Sequence, residues 1–160
     1  MHIRPASDRD SDHLWAMLEP VFRAGDTYCL PAEIERDAAL TYWCKDPHAV
    51  FLAETGGGVL GSYFLTPNQQ GGGSHVCNCG FVTALGARGK GVARLMLEDS
   101  LQRAKALGYR AMQFNFVVSS NIRAIAIWQD YGFVTVGRLP RAFLHPVNGY
   151  VDALVMYRDL

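Results

Sequence analysis

The residues best suited to chemistry lie in the run ALGARGKGVARLML, at positions 84–97. A strand-like stretch leads here through a glycine-rich turn directly into a helix-like stretch. Such a turn aims several backbone N–H groups and the positive end of a helix at one point, and its glycines let a ligand approach the backbone closely. The run therefore predicts a phosphate-binding loop.

Two common glycine motifs do not describe this loop. A Walker A loop has Lys followed by Ser or Thr after the second glycine, whereas Gly91 is followed by Val92. A Rossmann fingerprint follows the first strand of its domain, whereas this loop lies in mid-chain. Neither of these nucleotide motifs is therefore indicated.

Asparagine lies in the middle of two strand-like runs, Asn78 in HVCNCGFVTA and Asn115 in AMQFNFVV. Asparagine is depleted from strand interiors, and a buried amide without partners costs about 1–3 kcal/mol. Neither run contains Asp or Glu that could act as a base. We expect the two amides either to serve a shared site or to satisfy backbone groups close to one.

The cysteines do not have the spacing of a metal site. Cys77 and Cys79 are closer together than the usual C-x2-C pair, and no second Cys or His pair follows at a useful distance. Strand alternation places both thiols on one face and Asn78 on the other, unless a bulge intervenes. We predict reduced thiols packed as small hydrophobic groups, with no metal.

The overall composition limits the class of protein. The 160 residues predict a single domain, 1–160, and the 15 basic and 15 acidic residues are interspersed rather than clustered. No basic face indicates a nucleic-acid partner, and no stretch approaches the roughly 20 apolar residues that cross a bilayer. We expect a cytoplasmic protein with a small-molecule partner.

Periodicity predicts four helices. The first follows Ser7-x-x-Asp10, which resembles a capping box, and its apolar stripe begins at Leu14. The second should run from Pro31 to about Lys45, the third from Gly91 to Leu107, and the fourth from Asn121 to Gly132. In the second helix the inward residues should be Ile34, Ala38, Tyr42 and Cys44. In the third they should be Ala93, Leu97, Leu101, Ala104 and Leu107.

Alternating and continuous apolar runs predict the strands. HIRPA, the hairpin AVFLAET–VLGSYFLTP, HVCNCGFVTA and the buried run AMQFNFVV are followed by FVTVGRL and YVDALVMYRDL, with PRAFLHPVNG irregular between the last two. The order is βααββββαβαββ or close to it. This order predicts an α/β fold with a mixed sheet and helices on both faces.

Two segments resemble motifs of the GNAT superfamily of acyl-CoA-dependent N-acyltransferases. RGKGVA at 88–93 matches the R/Q-x-x-G-x-G/A signature, and NIRAIAIWQDYGF at 121–133 is similar to the N-x-x-A-x-x-L-Y-x-x-x-G-F segment downstream. The resemblance implies a twisted mixed sheet of about seven strands, with strands 4 and 5 splayed apart and about four helices. It also implies acetyl-CoA as co-substrate.

The same resemblance implies the residues that bind acetyl-CoA. The N–H groups from Gly89 to Arg94 would hold the pyrophosphate, and three residues of the fourth strand would pair with the pantetheine arm. Asn121 would contact that arm or simply cap its helix. The full implied set is Phe81, Val82, Thr83, Arg88, Gly89, Lys90, Gly91, Val92, Ala93, Arg94, Asn121 and Trp128.

One catalytic role has no obvious occupant. Many relatives protonate the departing thiolate with a Tyr in the second motif, but this chain has Trp128 there, and an indole N–H is not a practical acid. Tyr131, three residues further on, could substitute. A catalytically silent acyl-CoA-binding module is the alternative that this replacement leaves open.

The paired asparagines are similar to those of the fungal N-acetyltransferases that detoxify proline analogues such as azetidine-2-carboxylate. That resemblance implies Asn78 and Asn115 as catalytic residues and an amino or imino acid analogue as the amine. Acetylation of protein N-termini or lysines is an alternative, and a homodimer is possible. His145, Arg138 and Arg141 could border the acceptor pocket.

Overall fold

A seven-stranded mixed sheet organises the chain in the computed structural model, which describes all residues 1–160. The spatial order is β1-β2-β3-β4-β5-β7-β6, and only β4 and β5 run parallel. The predicted fold class is confirmed, although the run of strands after the second helix has three members rather than four. The strands are β1 His2–Pro5, β2 Ala49–Thr55, β3 Gly58–Pro67, β4 Val76–Thr83, β5 Ala111–Val118, β6 Val134–His145 and β7 Gly149–Asp159.

Helices cover both faces of the sheet, so alternate strand residues enter two separate apolar cores. The helices are α1 Ser11–Ala24, α2 Arg36–Cys44, α3 Val92–Ala106 and α4 Ile122–Asp130. One core lies between the sheet and α1 and α2, and includes Phe64 and Val82. The other lies against α3 and α4 and includes Cys77, Cys79 and Trp128. The prediction that both thiols share one buried face is confirmed.

The start of α1 follows the predicted capping pattern. The Asp10 carboxylate accepts hydrogen bonds from the Ser7 backbone N–H at 2.8 Å and from the Ser7 hydroxyl at 2.9 Å. A hydrogen bond from Arg4 holds the pKa of Asp10 well below its usual range. The predicted apolar stripe of α1 is buried along its whole length.

The prediction for α2 was wrong in its start and partly wrong in its phase, since Ile34 and Tyr42 do pack against the core. The helix begins at Arg36, and its buried residues are Ala39 and Trp43, whereas Ala38 and Cys44 are exposed. The indole N–H of Trp43 donates to Ser62 Oγ at 2.9 Å inside the core. Burying this large side chain with its polar atom satisfied sets the rotation of the helix.

Two further expectations need correction. Leu107 lies after the end of α3 and is 61% exposed, although Gly108 at φ 85° does end the helix. The segment expected to be irregular between the last two strands belongs mostly to β6, which continues to His145. A bulge absorbs the extra residues, since Leu139 pairs with Ala153 and Phe143 pairs with Val151.

The ladder between β4 and β5 stops almost as soon as it begins. Only the pairs Val76–Ala111 and Cys77–Met112 are present, and beyond them the two strands separate. On its other side β5 stays paired with β7, with a bulge between Phe114 and Val117. The separation opens a cleft in the centre of the sheet.

Gly80 on β4 supports one wall of this cleft. A Cβ at this position would lie 2.4 Å from Cε1 of Phe64, and the Phe64 ring cannot easily withdraw because it stacks on His48 at 4.1 Å and contacts Trp43 at 5.0 Å. We predict that Gly80→Ala lowers the free energy of unfolding by about 1–3 kcal/mol through overpacking. Urea denaturation measures this change.

Gly86→Ala is the matched control, because a Cβ at Gly86 meets no atom within 4 Å and its φ is not positive. That variant should keep wild-type stability. Equal stabilities for Gly80→Ala and Gly86→Ala would contradict the proposed close approach at Phe64.

Candidate active site

A cleft of about 270 Å³ occupies the gap between β4 and β5. Its walls come from both strands, from α4, from α2 and from the segment that joins α1 to α2. Asn78, Asn115, Phe81 and Trp128 all line it, so the structure brings these four predicted site residues together. None of the fifteen lining residues is Asp, Glu, His, Lys or Arg.

The edge of β4 that faces the gap carries unpaired backbone groups. The backbone groups of even-numbered β4 residues bond to β3. At one end the Asn68 N–H donates to the Val76 carbonyl at 2.8 Å, and at the other the Ala84 N–H donates to the Leu60 carbonyl at 2.9 Å. The register between these two bonds is unbroken. Hydrogen bonds alternate along an antiparallel pair. The N–H groups of Cys79, Phe81 and Thr83 therefore point into the gap, where β5 no longer meets them.

Val82 does not share this orientation. It pairs with Ser62 of β3, and its side chain lies in the core under α1 and α2. The expectation that its backbone pairs with a bound ligand is therefore wrong in this structure, since those groups belong to the β3–β4 ladder. Phe81 and Thr83 keep that role among the predicted residues.

The glycine loop presents a cluster of free donors. Five backbone N–H groups at the start of α3 form no hydrogen bond within the chain, and no side chain caps this helix end. Gly89 and Gly91 have φ values of 76° and 80°, which favour glycine, and both leave open space where a Cβ would stand. The five donors belong to Gly89, Gly91, Val92, Ala93 and Arg94.

The side chains of the loop divide into free and paired cations. Arg88 and Lys90 are exposed and form no ion pair within the chain, so both can approach an anion at the helix start. The guanidinium of Arg94 instead pairs with Asp130 at 2.6 Å and lies over the Tyr131 ring. Arg94 therefore offers its backbone N–H rather than its charge.

Asn121 caps α4. Its Oδ1 accepts from the Ala124 backbone N–H at 3.3 Å, which satisfies one of the free donors at the helix start. Of the two roles expected for this residue, the helix cap is the one that the geometry displays.

Trp128 lies on the cleft wall in an aromatic cluster with Phe81 and Phe114, at centroid distances of 5.1 and 5.0 Å. It is 7% exposed, and its indole N–H has no partner within the chain. Because every fully buried side-chain nitrogen and oxygen has a partner, this N–H reaches the accessible surface. Trp128 can therefore donate a hydrogen bond to a ligand, but it cannot act as an acid.

Tyr131 does not line the cleft. Its hydroxyl donates to the Glu98 carboxylate on α3, and that hydrogen bond raises the pKa of Tyr131 above its usual range. The expectation that Tyr131 supplies the missing acid is not supported by this position.

Asn78 lies where the β4–β5 ladder ends. Its Nδ2 donates to the backbone carbonyl of Gln113 at 2.9 Å, in place of the ladder bond that the separating strands no longer make. A carbonyl can only accept, so this bond fixes which end of the amide is the nitrogen. Asn78 Oδ1 has no partner within the chain and, like the Trp128 N–H, must be accessible.

Asn115 occupies the β5 bulge and is exposed to the cleft. Its Oδ1 accepts from Gln113 Nε2 at 2.8 Å, and its Nδ2 donates to Asn68 Oδ1 at 2.6 Å. Sequence reasoning missed Gln113 and Asn68. The period of two along β5 places Gln113 on the same face as Asn115, and this signal could have revealed it.

The segment between α1 and α2 contributes walls that no motif indicated. Tyr28 and Cys29 of this segment line the cleft together with Tyr42 of α2, and the Tyr28 hydroxyl donates to the Phe81 carbonyl at 2.9 Å. Burial raises the pKa of Tyr28 and of Cys79 well above their usual ranges, and burial also raises those of Cys29 and Tyr42. These groups therefore stay protonated and neutral near pH 7.

The other candidates lie outside the cleft. His145 Nδ1 accepts from the N–H groups of Val147 and Asn148, so it closes the β6–β7 turn. Arg138 pairs with Asp152 at 2.6 Å, and the same carboxylate accepts from the Arg141 backbone. No group of three or more His, Cys, Asp or Glu side chains could hold a metal ion. None of the four helices is long and apolar enough to cross a membrane.

The free donors at the start of α3 suit an anion, and the open edge of β4 suits an extended chain that lies along the strand. The model described as the Acetyltransferase (GNAT) family matches residues 12–133. The chain belongs to this family of acetyltransferases.

Known proteins agree with this assignment. A GCN5-related N-acetyltransferase from Kribbella flavida is 37% identical, with a TM-score of 0.94, over 99% of this chain and 97% of that one. YncA, an acetyltransferase from Salmonella typhimurium solved with acetyl-CoA, is 18% identical and shares the fold at a TM-score of 0.87, over 100% and 94% of the two chains.

A curated relative is similar over part of its length. N-acetyltransferase aca1 of Schizosaccharomyces pombe is 35% identical over 98 residues, which are 61% of this chain. The match spans 47% of aca1, so the chain covers about half of that protein.

The anion site can be tested with two glycines at opposite ends of α3. Gly91 and Gly108 both have left-handed φ values, 80° and 85°, but only Gly91 belongs to the loop. We predict that Gly91→Ala and Gly108→Ala each cost about 1 kcal/mol of stability. Only Gly91→Ala should weaken CoA binding, by about tenfold, because it misaligns at least one charge-assisted donor.

Calorimetric titration with CoA measures the affinities, and thermal unfolding measures the shared stability cost. Gly108→Ala serves as the matched control for backbone strain. If the two variants bind CoA equally well, the start of α3 does not hold the pyrophosphate.

Proposed function

We propose that this chain transfers the acetyl group of acetyl-CoA to the amine of a small molecule, an amino or imino acid analogue. The observation that carries the proposal is the accessible Oδ1 of Asn78, held in a cleft without any charged side chain. Such an oxygen can accept a hydrogen bond from the acceptor amine and orient its lone pair toward the acyl group.

The chain would bind the co-substrate with the groups already described. The free N–H groups of Gly89 and of residues 91–94 would hold the pyrophosphate, whereas that of Lys90 donates to Ala87. Phe81 and Thr83 would pair with the extended arm. Acetyl-CoA supplies an acetyl group activated as a thioester. An N–H of the open β4 edge would stabilise the negative charge that develops on the carbonyl oxygen, and the Trp128 N–H would donate to the departing sulfur.

The proton balance follows from the side chains present. The amine nitrogen forms the new C–N bond, the C–S bond breaks, and CoA leaves as a thiolate. No lining group can take the amine proton near pH 7, because Tyr28, Cys29, Tyr42 and Cys79 have raised pKa values and amides are not bases. The amine therefore reacts in its neutral form, after any ammonium proton has gone to water. The proton that the nitrogen loses as the amide forms passes to the departing CoA thiolate, directly or through water, so the products are the amide and the CoA thiol.

The lining favours a small acceptor without several positive charges. A polyamine would find no carboxylate, whereas amide N–H groups and aromatic walls suit a compact molecule with one polar acceptor group. The similarity to aca1, named an N-acetyltransferase, agrees with amine acetylation. Thiol release measured across amino acids, proline analogues and antibiotic amines tests the acceptor class. Turnover confined to peptides would overturn it.

The two asparagines should be needed for turnover rather than for co-substrate binding. We predict that Asn78→Ala and Asn115→Ala each reduce kcat/KM for the acceptor by about 10²-fold, because the amine loses its orientation. The affinity for acetyl-CoA should change little. Steady-state thiol release and calorimetry measure the two quantities.

Asn148→Ala is the control, since Asn148 lies exposed in the β6–β7 turn and its side chain makes no hydrogen bond. It should match the wild type in both measurements. Unchanged kinetics in both cleft variants would remove Asn78 and Asn115 from the site.

The dependence of kcat/KM on pH should follow the pKa of the acceptor amine rather than that of any group on the enzyme. Below the pKa of the acceptor amine, kcat/KM should rise about tenfold per pH unit, because only the neutral amine reacts and no lining group titrates there. The profile should level off at the pKa of that amine.

Two acceptors whose amine pKa values differ by about two units make the comparison decisive. The break in the profile should move with the amine. A break at one fixed pH for both acceptors would instead reveal an enzyme base, and His48, which stacks on the cleft residue Phe64, would be the nearest candidate.

A further inference from the structure

Four amide side chains meet on the face of the sheet that α1 and α2 cover. Asn78 and Asn115 lie at the cleft, Gln113 lies beside them on β5, and Asn68 follows β3. Much of the rest of this face is apolar and packs against the two helices. The amides are therefore concentrated where the acceptor would enter.

Asn115 is held at both ends of its amide. Gln113 Nε2 donates to its Oδ1 at 2.8 Å, and its own Nδ2 donates to Asn68 Oδ1 at 2.6 Å. One N–H and one lone pair of Asn115 remain free for a ligand. These two groups lie at opposite ends of the amide, one near Asn68 and one near Gln113.

The direction of the two hydrogen bonds that link Gln113, Asn115 and Asn68 decides where Asn115 presents its free N–H and its free lone pair. Turning all three amides by half a turn would keep both hydrogen bonds, with Asn68 donating and Gln113 accepting. That reversal would exchange the positions of the free N–H and the free lone pair. Asn78 has no such freedom, because its partner is a backbone carbonyl.

We propose that Asn68 and Gln113 are positioning residues that fix the orientation of the Asn115 amide, so that its free N–H faces the polar group of the acceptor. The inference rests on the proposed role of Asn115 in acceptor binding. Neither residue needs to touch the acceptor itself. Their effect is carried through the two hydrogen bonds to Asn115.

Two isosteric substitutions separate orientation from charge. Asp and Glu only accept hydrogen bonds when ionised, so Asn68→Asp keeps the observed direction, whereas Gln113→Glu forces Asn115 to turn over. Each variant adds one negative charge to the same cluster. The bond from Asn78 remains in both, because it goes to the backbone carbonyl of residue 113.

With azetidine-2-carboxylate as acceptor, we expect kcat/KM for Gln113→Glu to fall about tenfold below that for Asn68→Asp. The KM for acetyl-CoA should stay at the wild-type value in both. Equal kcat/KM values in the two variants, together with a strong defect in Asn115→Ala, would overturn this inference alone. If Asn115→Ala instead kept the wild-type kcat/KM, the proposed function would be overturned.

A second measurement needs no turnover. Nuclear Overhauser contacts of the Asn115 side-chain N–H protons should reach residue 68 in the wild type and in Asn68→Asp, but residue 113 in Gln113→Glu. The same contacts in all three proteins would overturn the proposal, because the orientation would then not depend on these partners.

Discussion

The early end of the β4–β5 ladder is the constraint on which the rest of the structure depends. A parallel pair in the centre of a sheet normally satisfies its backbone groups along its whole length. Here only two residue pairs form between β4 and β5, and the strands then separate. The sheet holds together because β3 and β7 pair with the outer edges of β4 and β5. The unsatisfied groups between them are left available to a ligand.

Each component of the site compensates for this gap in a different way. The Asn78 amide replaces the first missing ladder bond, the β5 bulge turns Asn115 toward the opening, and the Tyr28 hydroxyl caps the Phe81 carbonyl. All of these groups are neutral. Burying ionised groups in such a narrow space would need charged partners, whereas amides and phenols need only hydrogen bonds.

Much of this arrangement could be predicted from the sequence, because its signals are local. The glycine loop, its helix and the asparagines in the middle of two strands each lie within short windows, and the structure places the two asparagines at one cleft. Contacts across long sequence separations were not accessible in the same way. Asn68 bonds Asn115 across 47 residues, and Tyr28 bonds Phe81 across 53. The rotation of α2 depends on the hydrogen bond from Trp43 to Ser62, which helix periodicity alone does not reveal.

The recessed position of the open β4 edge also lowers the risk of aggregation through this edge. An exposed strand edge with free N–H and C=O groups invites pairing with other chains and aggregation. This edge faces β5 across a narrow gap, with Tyr28 and Trp128 on the walls. A polypeptide strand that paired with this edge would have to enter between these aromatic walls. The recess therefore hinders pairing with a second chain, while the N–H groups of the edge stay open to a small ligand in the cleft.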